Sequence, residues 1–320
     1  MSSNRKYDNV LVFGPTGDVG GLVALEAHNR GAKVWLAMRD ITKPIPAIPT
    51  DVEKTGNFVR VQADLSDAAS VARAVAESGV KAVYMYIVHG GADFGRAALQ
   101  VMRDNGVEYV VFLSSYSVKG EGNALRALPP TNWIPYEHAQ VEITIEDIGF
   151  PYFTTLRPAW FASNYFRTGL DRSAKPPKAI LIAGYEDKRL FDNVTPEDVG
   201  AVGGAVLVER PSDRKETIWI CGPDTCSPKE GWELVKKVTG RTDIETILVP
   251  AEQFIAATVA KGIPQVLVDS LLSSYERWQG GYEAEPEFKV GMANIAKYAG
   301  RAPMTFVQYL EAHKAEWAAI

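Results

Sequence analysis

Three glycines at three-residue intervals, Gly14, Gly17 and Gly20, stand in the run Val10-Leu-Val-Phe-Gly14-Pro-Thr-Gly17-Asp-Val-Gly20-Gly21. The run lies between a compact β-type segment, 9–13, and a helical segment from about 19 to 30 that Gly31 stops. Without side chains the backbone there can approach a pyrophosphate, whose charge the helix N-terminus favours. A glycine triplet alone is weak evidence, but in the first βα turn of a βαβ unit it is strong. Gly14, Thr16, Gly17, Asp18, Val19 and Gly20 are therefore the first candidates for a dinucleotide site.

The second candidate position lies nineteen residues past Gly20, where Arg39 is followed by Asp40. An acid at this point holds the ribose hydroxyls of NAD, whereas an arginine pairs with the 2′-phosphate of NADP. Arg39 comes first and Lys43 adds a cation, so the charge pattern favours NADP(H). Asp64-Leu65 follows the third strand, where an adenine ring would lie; Asp64 either accepts from the adenine amino group or caps the next helix. Val88, His89 and Ser114 sit at the ends of the fourth and fifth strands, beside the nicotinamide half of such a site.

The elements that must position these residues alternate strand and helix: strands at 33–38, 57–62, 81–88, 108–114 and 152–156, and helices at 66–78, 94–105 and 136–149. Ser66 is placed to cap the first of these helices, and three prolines (Pro44, Pro46, Pro49) force an irregular loop before the third strand. Parallel strands need right-handed crossovers, so the pattern reads as α/β, a Rossmann-type doubly wound parallel sheet. The expected division is a nucleotide-binding domain over 1–160 and a smaller, mostly helical C-terminal lobe over 161–320. In that lobe Thr195-Pro196-Glu197 and Ser227-Pro228-Lys229-Glu230 are helix starts, and Pro250, Pro264 and Pro303 open further candidates. Trp232, Trp278 and Trp317 are its expected core, and strands near Ala179 and Thr217 are candidates to return to the main sheet.

Bulk properties exclude several classes. The 320 residues carry a net charge of −5 with no like-charge blocks, against a nucleic-acid surface. No apolar run approaches the ~20 residues of a membrane span, and the polar N-terminus has no signal core. Two cysteines and four scattered histidines make neither a disulfide framework nor a zinc site. The expectation is a cytoplasmic, reduced, metal-free protein.

The chain resembles the NmrA-like branch of the short-chain dehydrogenase superfamily. The resemblance rests on Gly14-Pro-Thr-Gly17-Asp-Val-Gly20, Arg39, Asp64-Leu65, Phe112-Leu-Ser-Ser, Thr155-Leu-Arg157-Pro158, Phe161-Ala-Ser-Asn164 and Asn193-Val-Thr-Pro-Glu-Asp198. It covers roughly the first 210 residues and implies a Rossmann domain, a smaller C-terminal lobe and a nucleotide between them. Typical short-chain dehydrogenases place Tyr and Lys four apart on one helix face, the ammonium lowering the pKa of the tyrosine and holding the ribose. This chain has Tyr136 but Gln140, which can bind ribose yet cannot stabilise a tyrosinate. His138, which titrates near neutrality, could take over proton transfer; it also shares a helical stripe with Val141, Ile145 and Ile148 and reads equally as core. Ser115 is a candidate orienting donor, and Pro158, Trp160 and Phe161 either floor a nicotinamide pocket or pack as core.

Three functions fit this pattern. The first is NADP(H)-dependent hydride transfer to a small, fairly apolar substrate, of secondary metabolism in a fungal-type member of the family. The second retains NADP for non-redox cyclisation, Pictet–Spengler-type condensation or isomerisation. The third is a redox sensor that binds a protein partner.

Overall fold

The computed structural model describes residues 6–277 and 280–320; the first five residues and Trp278 lie outside them. Strands β1 (Asn9–Phe13), β2 (Lys33–Met38), β3 (Phe58–Gln62), β4 (Ala82–Tyr86), β5 (Tyr109–Leu113) and β6 (Tyr152–Pro158) alternate with helices. These are α1 (Gly20–Asn29), α2 (Thr50–Thr55), α3 (Ala68–Ser78), α4 (Arg96–Asp104), α5 (Asn123–Arg126) and α6 (Trp133–Ile148). The second half holds α7 (Asn164–Arg167), β7 (Leu170–Asp171), β8 (Lys178–Ile182), α8 (Pro196–Val208), β9 (Lys215–Ile220), α9 (Pro228–Thr239) and β10 (Glu245–Val249). Five helices follow: α10 (Ala251–Ala260), α11 (Gln265–Arg277), α12 (Pro286–Ala299), α13 (Phe306–Ala312) and α14 (Lys314–Ala318).

All seven strands of the main sheet run parallel, in the order β3-β2-β1-β4-β5-β6-β9. Order reverses between β1 and β4, which opens the crevice where such sheets take ligands. Val12 pairs with Leu36 on one side and Tyr84 on the other, which sets the β1 end and the glycine turn beside the ends of both neighbours. One face of the sheet packs on α1 and α8 through Val23, Val202 and Val206; the other packs on α3, α4 and α6 through Val71, Leu99 and Val141. The sheet is thus buried on both faces, which explains its near-continuous apolar strands.

The strand expected near Thr217 is β9, paired with β6. That expected near Ala179 is β8, and it does not reach the main sheet. With β9 occupying the edge of β6, β8 pairs instead with β10 and β7 in a separate three-stranded sheet. Ala179 and Leu181 of that sheet share a buried cluster with Trp232, Val235 and Trp317.

Helix starts follow their capping chemistry. Thr195 accepts from the Asp198 N–H with Pro196 in the first turn, and Ser227 and Glu230 form a reciprocal capping box. The expected Ser66 cap is replaced by Asp67, whose carboxylate accepts from Ala69 N. Ser66 lies one residue before the N-cap position, and its N–H and hydroxyl turn back to donate to Asp64. Helix α6 begins three residues before Tyr136, at Trp133.

Candidate functional site

The glycine turn is shaped by three requirements. Gly14 has φ +67°, and a Cβ there would lie 2.5 Å from Tyr86 Cε1, so the tyrosine ring packs directly on it. Gly17 N donates to Gly14 O at 3.1 Å, and a Cβ on Gly20 would come within 2.3 Å of that same oxygen. Helix α1 has Val19 as its N-cap residue, with no side-chain cap and no acid in its first turn. Its leading N–H groups and dipole are thereby left for an anion. Opposite the turn, Phe161, Ser163, Asn164 and Arg167 close a cleft of about 410 Å³. The buried Tyr84 hydroxyl borders the cleft and has no hydrogen-bond partner among the described residues. A bare cradle, an uncapped helix start and an orphaned hydroxyl fit a dinucleotide pyrophosphate.

The charges beyond β2 sort themselves by their bonds. Asp40 Oδ1 accepts from both N and Oγ1 of Thr42, which holds its carboxyl below the usual range and turns it into its own loop. Arg39 is exposed beside it, and its backbone oxygen accepts from Gln62. Lys43 is exposed, and its carbonyl accepts from Arg60, a cation that the sequence reading passed over. Asp64 accepts from Ser66 N–H and hydroxyl, which lower its pKa, so one oxygen is used locally. Leu65 is buried in the α3 and α4 core.

The residues assigned to the nicotinamide end separate into cleft, cavity and core. Phe161 lines the cleft, bridged to Val194. Val88 and His89 are exposed, His89 stacking on Trp133 at 5.1 Å. Ser114 donates to Glu142 at 2.6 Å, and Glu142 pairs with Arg157 at 2.7 Å, both wholly buried. The Ser114 hydroxyl thus belongs to an ion-pair network in the core. Ser115 and Ser117 hydroxyls bond each other at 2.8 Å, and Pro158 O accepts from Tyr116 N.

Tyr136, His138 and Gln140 lie in the lining of neither the cleft nor the cavity described next. The Tyr136 ring meets Phe94 edge-on at 5.9 Å. His138 is buried, its Nδ1 bonded to Ile134 O at 2.8 Å, and burial pushes its pKa down to about 4. It is neutral at pH 7 and packs as one of the apolar stripe.

Trp160 belongs to a second, larger cavity of about 740 Å³ between the small sheet, α9, α10 and α11. Its indole stacks on Phe191 at 4.1 Å and 10°, and Tyr275 meets it edge-on at 6.2 Å. Tyr165 and Trp232 complete this aromatic wall, 5.1 Å apart. The Trp160 Nε1–H is buried and has no hydrogen-bond partner among the described residues. The wall is braced from behind by Asp192, which accepts from Trp160 N and Gly222 N at 2.8 Å; burial pushes its carboxyl up to about 7. Cleft and cavity share one residue, Asn164.

Tyr84, Tyr86, Ser163 and Arg167 escaped the sequence reading as cleft residues. Ser163 and Asn164 lie in the Phe161-Ala-Ser-Asn164 segment, but neither stands out there as a site residue. Among the described residues no cluster of three or more His, Cys, Asp or Glu could hold a metal, and no helix is long and apolar enough to cross a membrane. Cys221 and Cys226 are free and buried.

The fold and the glycine turn define an NAD(P)H-binding protein with an oxidoreductase-type fold, and residues 14–183 match the family described as NAD(P)H-binding. Over 319 residues the chain is 33% identical to the nitrogen metabolite regulation-like protein bik4 of Gibberella fujikuroi, covering 95% of this chain and 96% of that one. The chain belongs to the NmrA-like family and to the NAD(P)H-binding proteins. Its fold matches the NADPH-dependent quinone oxidoreductase QOR2 of Escherichia coli, solved with NADPH, at TM-score 0.67 and 18% identity over 95% of this chain and 99% of that one. Leucoanthocyanidin reductase of Vitis vinifera, solved with NADPH, matches at TM-score 0.67 and 16% identity, over 96% and 99%.

Proposed function

We propose that the chain is an NADP(H)-dependent reductase of a largely apolar, aromatic carbonyl or conjugated substrate, with the nucleotide held mainly by residues 1–160 and closed over by Phe161 to Arg167, and the substrate held mainly by residues 161–320 with Trp160. The observation that carries this reading is Asn164, which lines both the nucleotide cleft and the aromatic cavity. Its carboxamide has no hydrogen bond among the described residues, so it is available to donate to a substrate oxygen at the junction. The unpartnered Trp160 N–H is a second donor on the same cavity. Bound NADPH supplies the electron pair and hydrogen that go to the substrate carbon. Asn164 would hold the oxygen on which negative charge develops, Trp160 and Phe191 would keep the ring system flat against the wall, and that oxygen would take its proton from solvent at the cavity mouth, where Arg172 and Lys261 are exposed. The position of Tyr136 and His138 outside both linings favours Asn164 and Trp160 as the groups that meet that oxygen.

The aromatic substrate class is supported by the cavity wall and agrees with the quinone and leucoanthocyanidin named for the two structural neighbours. Loss of reduced-nicotinamide absorbance during incubation with aromatic ketones, enones and quinones tests the proposal. Substrate-dependent oxidation is the expected result. Tight nucleotide binding with no oxidation across the panel would favour a second reading, a cofactor-sensing regulator, which Gln140 in place of lysine also fits.

A further inference from the structure

The lining of the aromatic cavity carries three cations, Arg172, Lys178 and Lys261, against one carboxylate, Asp171. That balance is the reverse of the whole chain, whose net charge is −5. The cations come from separate segments: Arg172 just after β7, Lys178 at the start of β8 and Lys261 at the end of α10. Arg172 and Lys261 are exposed and Lys178 is half-buried, whereas Tyr165, Phe191 and Trp232 are buried. The cavity therefore has a cationic mouth and an aromatic interior.

Only a weak attraction joins these charges to the acid of the lining, whose carboxyl is lowered first by its bonds from Ser173 and less by Lys261. Among the described residues none of the three forms an ion pair with an aspartate or glutamate. Asp171, which stands opposite Lys178 across β7 and β8, accepts at Oδ1 from the N–H and hydroxyl of Ser173. The Arg172 guanidinium lies 4.9 Å from the Phe166 ring centroid, a cation–π contact that uses none of its N–H donors.

We propose that this cavity selects aromatic substrates bearing an acidic group, a carboxylate or an ionised phenol, with the ring system inside and the anion between Arg172, Lys178 and Lys261. The inference rests on the reading of the cavity as the substrate site. An arginine fork flanked by two ammonium groups suits a two-oxygen anion, and the low dielectric of the aromatic walls strengthens the attraction at the mouth.

The test uses two probes of the same shape, 2-naphthoic acid and 2-naphthamide, titrated calorimetrically into the NADP⁺-loaded protein. The acid is expected to bind at least tenfold more tightly than the amide, about 1.4 kcal/mol, and to lose that preference as salt rises. The double variant R172Q/K261Q, altered at two exposed positions, is expected to weaken the acid about tenfold and leave the amide unchanged. Equal affinities, or a variant that weakens both probes alike, would overturn the charge selection while leaving an aromatic site in place. Binding of neither probe would overturn the cavity as substrate site, and the inference with it.

Discussion

Arg167 grips both carboxylate oxygens of Asp18 across the nucleotide cleft, through Nε to Oδ2 at 3.2 Å and Nη2 to Oδ1 at 2.9 Å. The pair ties the glycine turn to α7, and Glu316 of α14 lies 3.4 Å from the same guanidinium. Both partners are substantially exposed, so the bridge itself contributes only ~0–1 kcal/mol. An entering pyrophosphate meets the repulsion of Asp18 and the attraction of Arg167, and the guanidinium can turn to the phosphate at little cost. By calorimetry, Arg167→Ala is expected to weaken NADPH about tenfold, the scale of one charged hydrogen bond. Asp18→Asn is expected to tighten it a few-fold.

The glycine turn makes a prediction that separates backbone strain from crowding. Gly14→Ala places a methyl at positive φ and against the Tyr86 ring, and should abolish NADPH binding and lower stability by about 2 kcal/mol or more. In a double-mutant cycle, Tyr86→Ala relieves the crowding but not the φ strain. The two changes should therefore couple by about 1 kcal/mol in denaturant unfolding.

Nucleotide choice should follow Arg39. Because the Asp40 oxygen nearest its loop is occupied by Thr42, the acid is poorly placed to claim a ribose. Arg39→Ala is expected to cost roughly tenfold to a hundredfold in NADPH affinity and to leave NADH unchanged, as titration with both nucleotides would read. An equal loss for both would show that Arg39 does not read the 2′-phosphate.

Two buried groups pull the pH dependence of stability in opposite directions. His138 falls from its ordinary 6.5 to about 4, so the unfolded chain binds its proton first and stability is lost as pH drops through that window. Asp192 rises from 3.8 to about 7, so the folded chain binds its proton first and stability is lost as pH climbs from about 4 to 7. At ~1.4 kcal/mol per unit each effect is on the order of 3 to 4 kcal/mol, and the two largely cancel between pH 4 and 6.5. His138→Leu should leave a protein whose melting temperature falls with rising pH across this range. Asp192→Asn should leave the opposite slope.

Local patterns made the nucleotide half legible in the sequence. The glycine turn, Arg39 and the alternating strands are each encoded within a few neighbouring residues, and Thr195 and Ser227 cap their helices as their spacing requires. Ser66 lost the cap to Asp67, which stands at the N-cap position of the helix, while Ser66 itself donates back to Asp64. Long-range contacts were invisible: Arg167 faces Asp18 from 149 residues away, and Tyr84 and Tyr86 look like ordinary strand residues until one borders the cleft and the other packs on Gly14. His138 stood on a stripe consistent with either core or catalysis, and only its burial and its bond to Ile134 separate the two. The aromatic cavity was unreadable because its wall gathers Trp160, Phe191, Trp232 and Tyr275 from four segments.

The most direct test of the central claim is label transfer at Asn164. NADPH deuterated at the transferring carbon would be incubated with an aromatic ketone and the wild-type protein or Asn164→Ala, and the product examined by mass spectrometry. One deuterium at the former carbonyl carbon is expected with the wild type. A rate at least about a hundredfold lower is expected for the variant, the scale of losing one oxyanion donor, with NADPH affinity changed less than threefold. Unlabelled product, or a variant that transfers the label as fast as the wild type, would contradict that claim.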